Sequence, residues 1–585
     1  MLRRALYAGF FGFLISIFLS VHCSAATKPN ILLITLDSTR ADRMGFLGAH
    51  DKLTPSLDAL ARQSIVFDRA YAQAPGTVVS HATILSGTYP QTHHASELGS
   101  PLAATLPLLP DLLHSQGYRT AAFVGSIQLD PREGLAPGFD RGFDAYDAGF
   151  RQSPANDSPQ GAHASQNDKN ATASKRSGDQ VIARAIKWLA GSKQPFFLWV
   201  NLSDPQAPYA TSYDHAIAAA DAALGKLLTS LHTQKLFDDA IIVVAADHGE
   251  SLGAHGEDTH GIFLYDETIH VPLLVKLAQN QMAGKRVVGR VRLLDVAPTV
   301  LEAAAVPVLS QMQGQSLLRV AKSNSDSDQP AYSRSDFPQQ AFGWSALESW
   351  RVGKYLYIRA PKPELYDLSA DPSATRNLAQ TSKATLETIA AQLSSFDGHF
   401  GSGAGKSPDT GLTSSEMQKL ASLGYVGLQK SSSAGNATVQ GTDPKDTIAT
   451  ADRTLAAMLT LQEGKPDKAI PVFRQVLTAQ PDTYLAQYGL GVALAHEQQY
   501  PEAIEHLHKA IELQPDSAWA HYEMGLSLLK TKDFKTAAVH LEIASSRLPE
   551  SAAAHSALAD AYDHLNRGED ANRERAKAAQ PAAKP

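Results

Sequence analysis

The chain has 585 residues, 43% of them hydrophobic and 19% charged, an ordinary globular balance with room for several domains. Its 52 Lys and Arg against 59 Asp and Glu leave a formal net charge of −7, which gives no basic footprint and argues against a nucleic-acid partner. Residues 1–26 read as a removable secretory signal. Arg3 and Arg4 come first, residues 5–19 are apolar, and Ser24-Ala25-Ala26 offers small side chains for cleavage. An uncleaved anchor helix is the alternative, but the run is short of the ~20 residues a span needs. A lipoprotein reading through Cys23 meets the bulky His22. The expectation is export to the periplasm or the extracellular space, with no integral membrane span after cleavage. Cys23 is the only cysteine, so the mature chain would hold no disulfide, cysteine-bound zinc or cysteine nucleophile.

From Lys28 onward short apolar runs alternate with helix-like stretches. Residues 31–36, 120–125, 196–201 and 241–246 read as buried parallel strands; 55–63, 182–190 and 216–231 read as helices. The alternation predicts an α/β fold with helices on both faces of a central, mostly parallel sheet, and ligands in such sheets bind beyond the carboxyl ends of the strands. Two runs end on acidic residues: Leu36 is followed by Asp37, and Ala246 by Asp247-His248-Gly249-Glu250. Asp37 alone reads as readily as a helix cap. Asp247 beside His248, with Gly249 permitting close backbone approach, supplies ligand types that suit Ca, Mg, Mn or Zn. His255 and His260 follow. His93-His94 reads as a solvated loop pair, and Trp344 and Trp350 as core. Residues 153–177, rich in Ser, Asn, Gln, Asp and Ala, read as a surface insertion.

Four segments taken together resemble the sulfatase family of the alkaline phosphatase superfamily. Thr35-Leu36-Asp37-Ser38-Thr39-Arg40-Ala41-Asp42 is similar to its opening metal motif. Residues 80–90 (SHATILSGTYP) are similar to the nucleophile segment, and Ala246-Asp247-His248-Gly249-Glu250 to the second metal motif. Glu364-Leu365-Tyr366-Asp367-Leu368, with Asp371-Pro372 and Asn377-Leu378, resembles the C-terminal subdomain. The resemblance spans about 28–400, with that subdomain from about 330. It implies Asp37, Asp247 and His248 as ligands of one divalent cation, or of two, with Ser38 a weak ligand where relatives carry a second aspartate. It places Thr77 where sulfatases carry the residue that becomes formylglycine, His81 in place of that motif's arginine, and His260 where a lysine or histidine meets the transferred group.

Threonine has no route to formylglycine. Its hydroxyl is a weak nucleophile until a base or metal activates it, and threonine-nucleophile phosphodiesterases and transferases of the same superfamily look alike here. Thr77 also stands near the start of a helix expected about Ser80, where anions are favoured. Two family segments depart from pattern. Gly125-Ser126-Ile127-Gln128-Leu129 lacks the lysine and histidine that contact sulfate, and residues 201–209 (NLSDPQAPY) lack both histidines, one of them the expected proton donor. Asp204 survives as a candidate support for a second metal.

Residues 401–442 read as a linker, Gly/Ser-rich around a short helix. Beyond, from 443 to about 580, lies a repeat of period 34: Pro481, Pro515 and Pro549; Gly491 and Gly525; Ala469, Ala503 and Ala537. That is the tetratricopeptide pattern, an all-α solenoid whose concave face suits a peptide or protein. Gln487, His521 and Lys530 are candidates to line it. The functional expectation is a metal-dependent hydrolase or transferase of anionic phosphate esters; the alternatives are a degenerate binding or scaffold protein and a sulfuric ester hydrolase.

Overall fold

The computed structural model describes residues 28–579 except 133–134, 150–175, 192–194, 208, 210, 324–327, 401–413 and 424–440. The signal segment, all but the last two residues of the 153–177 insertion and most of the 401–442 linker lie outside the described residues. No helix among the described residues is long and apolar enough to cross a membrane.

Eight strands form the central sheet: β1 (Ile31–Leu36), β2 (Ile65–Tyr71), β3 (Arg119–Phe123), β4 (Ala145–Asp147), β5 (Phe196–Leu202), β6 (Ile241–Ala246), β7 (His270–Lys276) and β8 (Arg286–Arg292). Their order is β4-β3-β5-β1-β6-β7-β2-β8, and β7 alone runs against its neighbours β6 and β2. The sheet is mixed and mostly parallel, as expected. β1, β5 and β6 are buried along their whole length, because helices cover both faces; such strands carry apolar side chains on both sides. The helices Pro55–Ala61, Gly178–Leu189 and Tyr213–Thr233 fall on the expected stretches, with ends moved by a few residues. The last begins at a Ser212 cap and the middle one at a Ser177 capping box with Gln180.

A second, antiparallel sheet follows: β9 (Ala331–Ser335), β10 (Leu347–Val352), β11 (Tyr355–Arg359) and β12 (Glu364–Asp367), in the order β12-β11-β10-β9. Trp344 and Trp350 are buried, as expected. The tail is a run of paired helices from Pro444–Gln462 to Gly568–Ala578. Its period has a physical cause. A Cβ at Gly491 would press on Leu507 of the facing helix, and one at Gly525 on Leu541, 34 residues on, so only glycine permits that approach. Gln487 and His521, expected on the concave surface, are buried instead. Each turns inward to bond a carbonyl of the preceding turn, Pro481 O at 2.7 Å and Pro515 O at 2.9 Å; Lys530 is exposed.

Candidate active site

β1 and β6 pair in parallel with Leu36 opposite Ala246. The residues that leave their carboxyl ends, Asp37 and Asp247, therefore emerge side by side. Thr77 opens the helix Thr77–Ser86, and its hydroxyl oxygen stands 3.2 Å from Asp37 Oδ1 and 3.2 Å from His248 Nε2. All four side chains are buried. His248 Nδ1 lies 2.8 Å from the Gly249 carbonyl, so that nitrogen carries the proton and Nε2 keeps its lone pair for the site. Gly249 is required: a Cβ there would overlap the Glu267 carbonyl.

Ligand atoms of Asp37, Asp247 and His248 lie within 4.8 Å of one another. Asp247 Oδ1 accepts from the Ser38 and His248 amides at 3.1 and 2.8 Å, while the buried Oδ2 accepts no hydrogen bond. Burial and the neighbouring Asp37 push the Asp247 carboxyl well above its ordinary range, and burial with the nearby His260 pushes His248 well below its own. Two buried acidic side chains and a neutral imidazole converge here, and burial with mutual repulsion opposes full ionisation of the pair. A hard or borderline divalent cation fits this donor set and relieves its repulsion.

Residues 29–306 match the sulfatase family model, and residues 257–396 match the model described as N-sulphoglucosamine sulphohydrolase, C-terminal. The N-terminal body belongs to the sulfatase family. A tetratricopeptide repeat model matches residues 454–518 and 522–585. The chain is similar to the Ulvan-active sulfatase of Formosa agariphila, 26% identical over 414 residues that cover 63% of this chain and 80% of that protein. It is similar also to the multifunctional alkaline phosphatase superfamily protein PehA of Trinickia caryophylli, 26% identical over 475 residues, 60% of this chain and 91% of that one. In fold it is similar to the phosphonate monoester hydrolase of Agrobacterium radiobacter, with a TM-score of 0.52 and 22% identity over 64% of this chain and 96% of that one. The chain is a sulfatase-like hydrolase with a repeat tail.

Within the sulfatase-family domain the other expected site residues divide. His260 joins the cluster: its ring centroid lies 4.4 Å from that of His248, and Nδ1 is 3.0 Å from Glu250 Oε1. Burial alone would lower its pKa, but the Glu250 charge and hydrogen bond lift it to about 9. His81 is turned to internal partners. Nδ1 meets the Thr77 carbonyl at 2.7 Å and Nε2 meets Thr35 Oγ1 at 2.9 Å. Thr35 Oγ1 already accepts from Trp199 and Asn201, so its proton goes to His81 Nε2. The ring is a neutral strut behind Thr77, and burial holds its pKa near about 4. Ser38 sits at φ 51° with its hydroxyl 3.4 Å from Asp37 Oδ1 and its amide on Asp247, which makes it a support for the two carboxylates. Asp204 accepts from the Gly178 amide through both oxygens, at 3.0 and 2.9 Å, and caps a helix there. Among the described residues no second cluster of metal-ligand type accompanies the first. His255 stacks on Tyr265 at 3.6 Å. His93, expected in solvent, is buried against Thr83 at 3.0 Å.

Two departures from the family pattern meet at Thr77. Gln206 Nε2 lies 3.4 Å from Thr77 Oγ1 and 3.0 Å from Gln128 Oε1, and Ser126 Oγ donates to Gln206 Oε1 at 3.2 Å. Neutral amides and a hydroxyl stand where cationic side chains were expected. Glu97 escaped the sequence reading altogether. Its carboxylate accepts from the Val78 and Val79 amides at 3.2 and 2.9 Å, capping the helix that Thr77 opens, whose N-cap Gly76 has no side chain to do so. Burial raises its pKa. No local signal in the sequence could have found it, because it comes 20 positions after Thr77 with no motif around it.

Proposed function

We propose that this sulfatase-like hydrolase cleaves or transfers monoanionic phosphate diesters, with Thr77 as nucleophile. The observation that carries the reading is the Thr77 hydroxyl held 3.2 Å from both Asp37 and His248. A divalent cation bound by Asp37, Asp247 and His248 would lower the pKa of that hydroxyl and stabilise charge on the transferred group. The Thr77 hydroxyl proton passes to solvent as Oγ1 forms the bond to phosphorus and the leaving oxygen departs. The threonine phosphodiester so formed, which keeps the second ester group, is later cleaved by water at the Thr77 O–P bond, and Oγ1 takes a proton back. His260, held protonated by Glu250, gives the leaving oxygen its proton; Gln206 and Gln128 offer neutral N–H groups to the phosphoryl oxygens.

Charge favours a monoanion. Asp37 and Asp247 would be balanced by one divalent cation, and the acidic Glu97 and Glu250 beside them disfavour the second negative charge of a dianionic monoester. Threonine in the formylglycine position turns the reading from sulfate to phosphate. Export through the 1–26 signal would place the reaction in the cell envelope or outside the cell, and the repeat tail would serve protein interaction. A second reading, an anion-binding domain without turnover, is favoured by the neutral Gln206 where a proton donor was expected.

Purified mature protein is assayed on bis-aryl phosphate, aryl phosphate and aryl sulfate with Ca, Mg, Mn and Zn. Diester turnover that disappears in Thr77→Ala is the expected result. Turnover of sulfate alone would overturn the choice of ester, and no turnover of any ester would favour the binding reading.

A further inference from the structure

The tail is not set apart from the sulfatase-family domain. Tyr484, Leu485 and Ala510 of the repeats belong to the same hydrophobic cluster as the central sheet. The first tail helix, Pro444–Gln462, lies against loop 251–261. That loop is closed on itself by Ser251 N to Thr259 O at 2.7 Å and Gly253 N to Glu257 O at 2.9 Å, and it ends in His260. The Asp258 amide, two residues before His260, donates across to Asp452 Oδ1 of the tail helix at 3.1 Å. Ile448 packs over Gly256, which has φ 86°. Lys445 Nζ is 2.8 Å from Glu364 Oε1. The other oxygen of Glu364 takes the Tyr265 hydroxyl at 2.6 Å, and the Tyr265 ring carries His255 of the same loop. Farther along, Gln514 Nε2 donates to Gln340 O at 3.1 Å, and Gln340 Oε1 accepts from Ser96, the neighbour of Glu97.

We propose that the first tetratricopeptide helix is a fixed wall of the active site and that Asp452 is a positioning residue for His260. The loop has turn hydrogen bonds of its own, and Glu257 holds the Ile262 and Phe263 amides. The Asp258 amide beside His260, however, bonds outward to the tail helix, so the placing of that end depends also on what packs against it. The Asp452 carboxylate fixes the backbone next to His260, and Ile448 and the Lys445–Glu364–Tyr265 chain fix the rest. The ring of His260 then stays against His248 and within reach of a group on Thr77. Small misplacements of a catalytic group carry large kinetic penalties. The kinetic half of this inference rests on the proposed hydrolase reading; the structural half does not.

The test uses the full mature chain and compares Asp452→Ala with Asp452→Asn, whose side-chain oxygen still accepts from the Asp258 amide. The readouts are kcat and KM on the bis-aryl phosphate and hydrogen exchange of the peptide spanning 251–261. The Ala variant is expected to exchange that peptide faster and to lose about tenfold or more in kcat with little change in KM; the Asn variant stays near wild type in both. If the wild type turns over no ester, the hydrolase reading fails while exchange still decides the brace. Exchange unchanged in Asp452→Ala, or equal loss in Ala and Asn, would overturn the proposal.

Discussion

Gln206 reaches Thr77, its side-chain amide 3.4 Å from the hydroxyl oxygen. A neutral donor in that place can hold an oxygen but cannot hand over a proton, so in the proposed reaction that task falls to His260. Gln206→Ala would remove a buried partner worth about 1–3 kcal/mol. Turnover of the diester is expected to fall about tenfold or more, measured as kcat/KM, while the Thr77→Ala loss remains larger.

Cation binding links to stability. Asp37 and Asp247 are buried beside one another, so the metal-free protein carries their repulsion. Saturating divalent cation at about 100 times its Kd is expected to add about 2.7 kcal/mol, seen as a raised Tm that a chelator reverses. Asp247→Asn should melt higher than wild type without metal, and lose the metal-dependent rise. A Tm indifferent to every divalent ion in wild type would count against the ligand set.

Gly249 permits the chain to pass directly under the 267–268 backbone, with its amide on Thr268 O at 2.8 Å and the Glu250 amide on Glu267 O at 3.0 Å. Adding one methyl forces these apart. Gly249→Ala is expected to destabilise the fold by about 1–3 kcal/mol in a denaturant titration, and to weaken cation binding because His248 takes its orientation from the Gly249 carbonyl.

The helix Thr77–Ser86 is capped by the Glu97 carboxyl, and its charge should discriminate among substrates. Glu97→Gln keeps one acceptor oxygen for one of the two amides while deleting the charge. The ratio of aryl phosphate to bis-aryl phosphate turnover is expected to rise about tenfold, the equivalent of ~1.4 kcal/mol, in side-by-side kcat/KM measurements. An unchanged ratio would remove Glu97 from the specificity argument.

The solenoid should be acid-labile. His521 and His540 face each other with Nδ1 atoms 2.9 Å apart; burial lowers the His521 pKa to about 4 and carries His540 well below its ordinary value. Their folded pKa values lie below the unfolded value near 6.5, so the unfolded chain takes up the protons first. The contribution to stability is present above about pH 6.5 and is lost as the pH falls toward 4. Gln487 fills the equivalent place one repeat earlier, so His521→Gln is the matched control. Circular dichroism melts across pH 4–7 should show a smaller acid loss in that variant.

The local pattern was enough for the class of the fold and for part of the site. Uninterrupted apolar strands ending in Asp37 and Asp247, and a period of 34 residues in the tail, are covalent-order signals: alternation and spacing survive in one dimension. The parallel register that sets Leu36 opposite Ala246 turned two such strand ends into one cluster. Tertiary packing alone decided what the remaining polar residues do. His81, which stands in place of the family motif's arginine, spends both ring nitrogens on Thr35 and Thr77. Glu97 carried no motif and caps the helix that Thr77 opens. Asp452 lies 194 positions from the amide it holds. A side chain's partners in a folded protein come from whichever segments the core brings together, and the linear sequence carries no record of that distance.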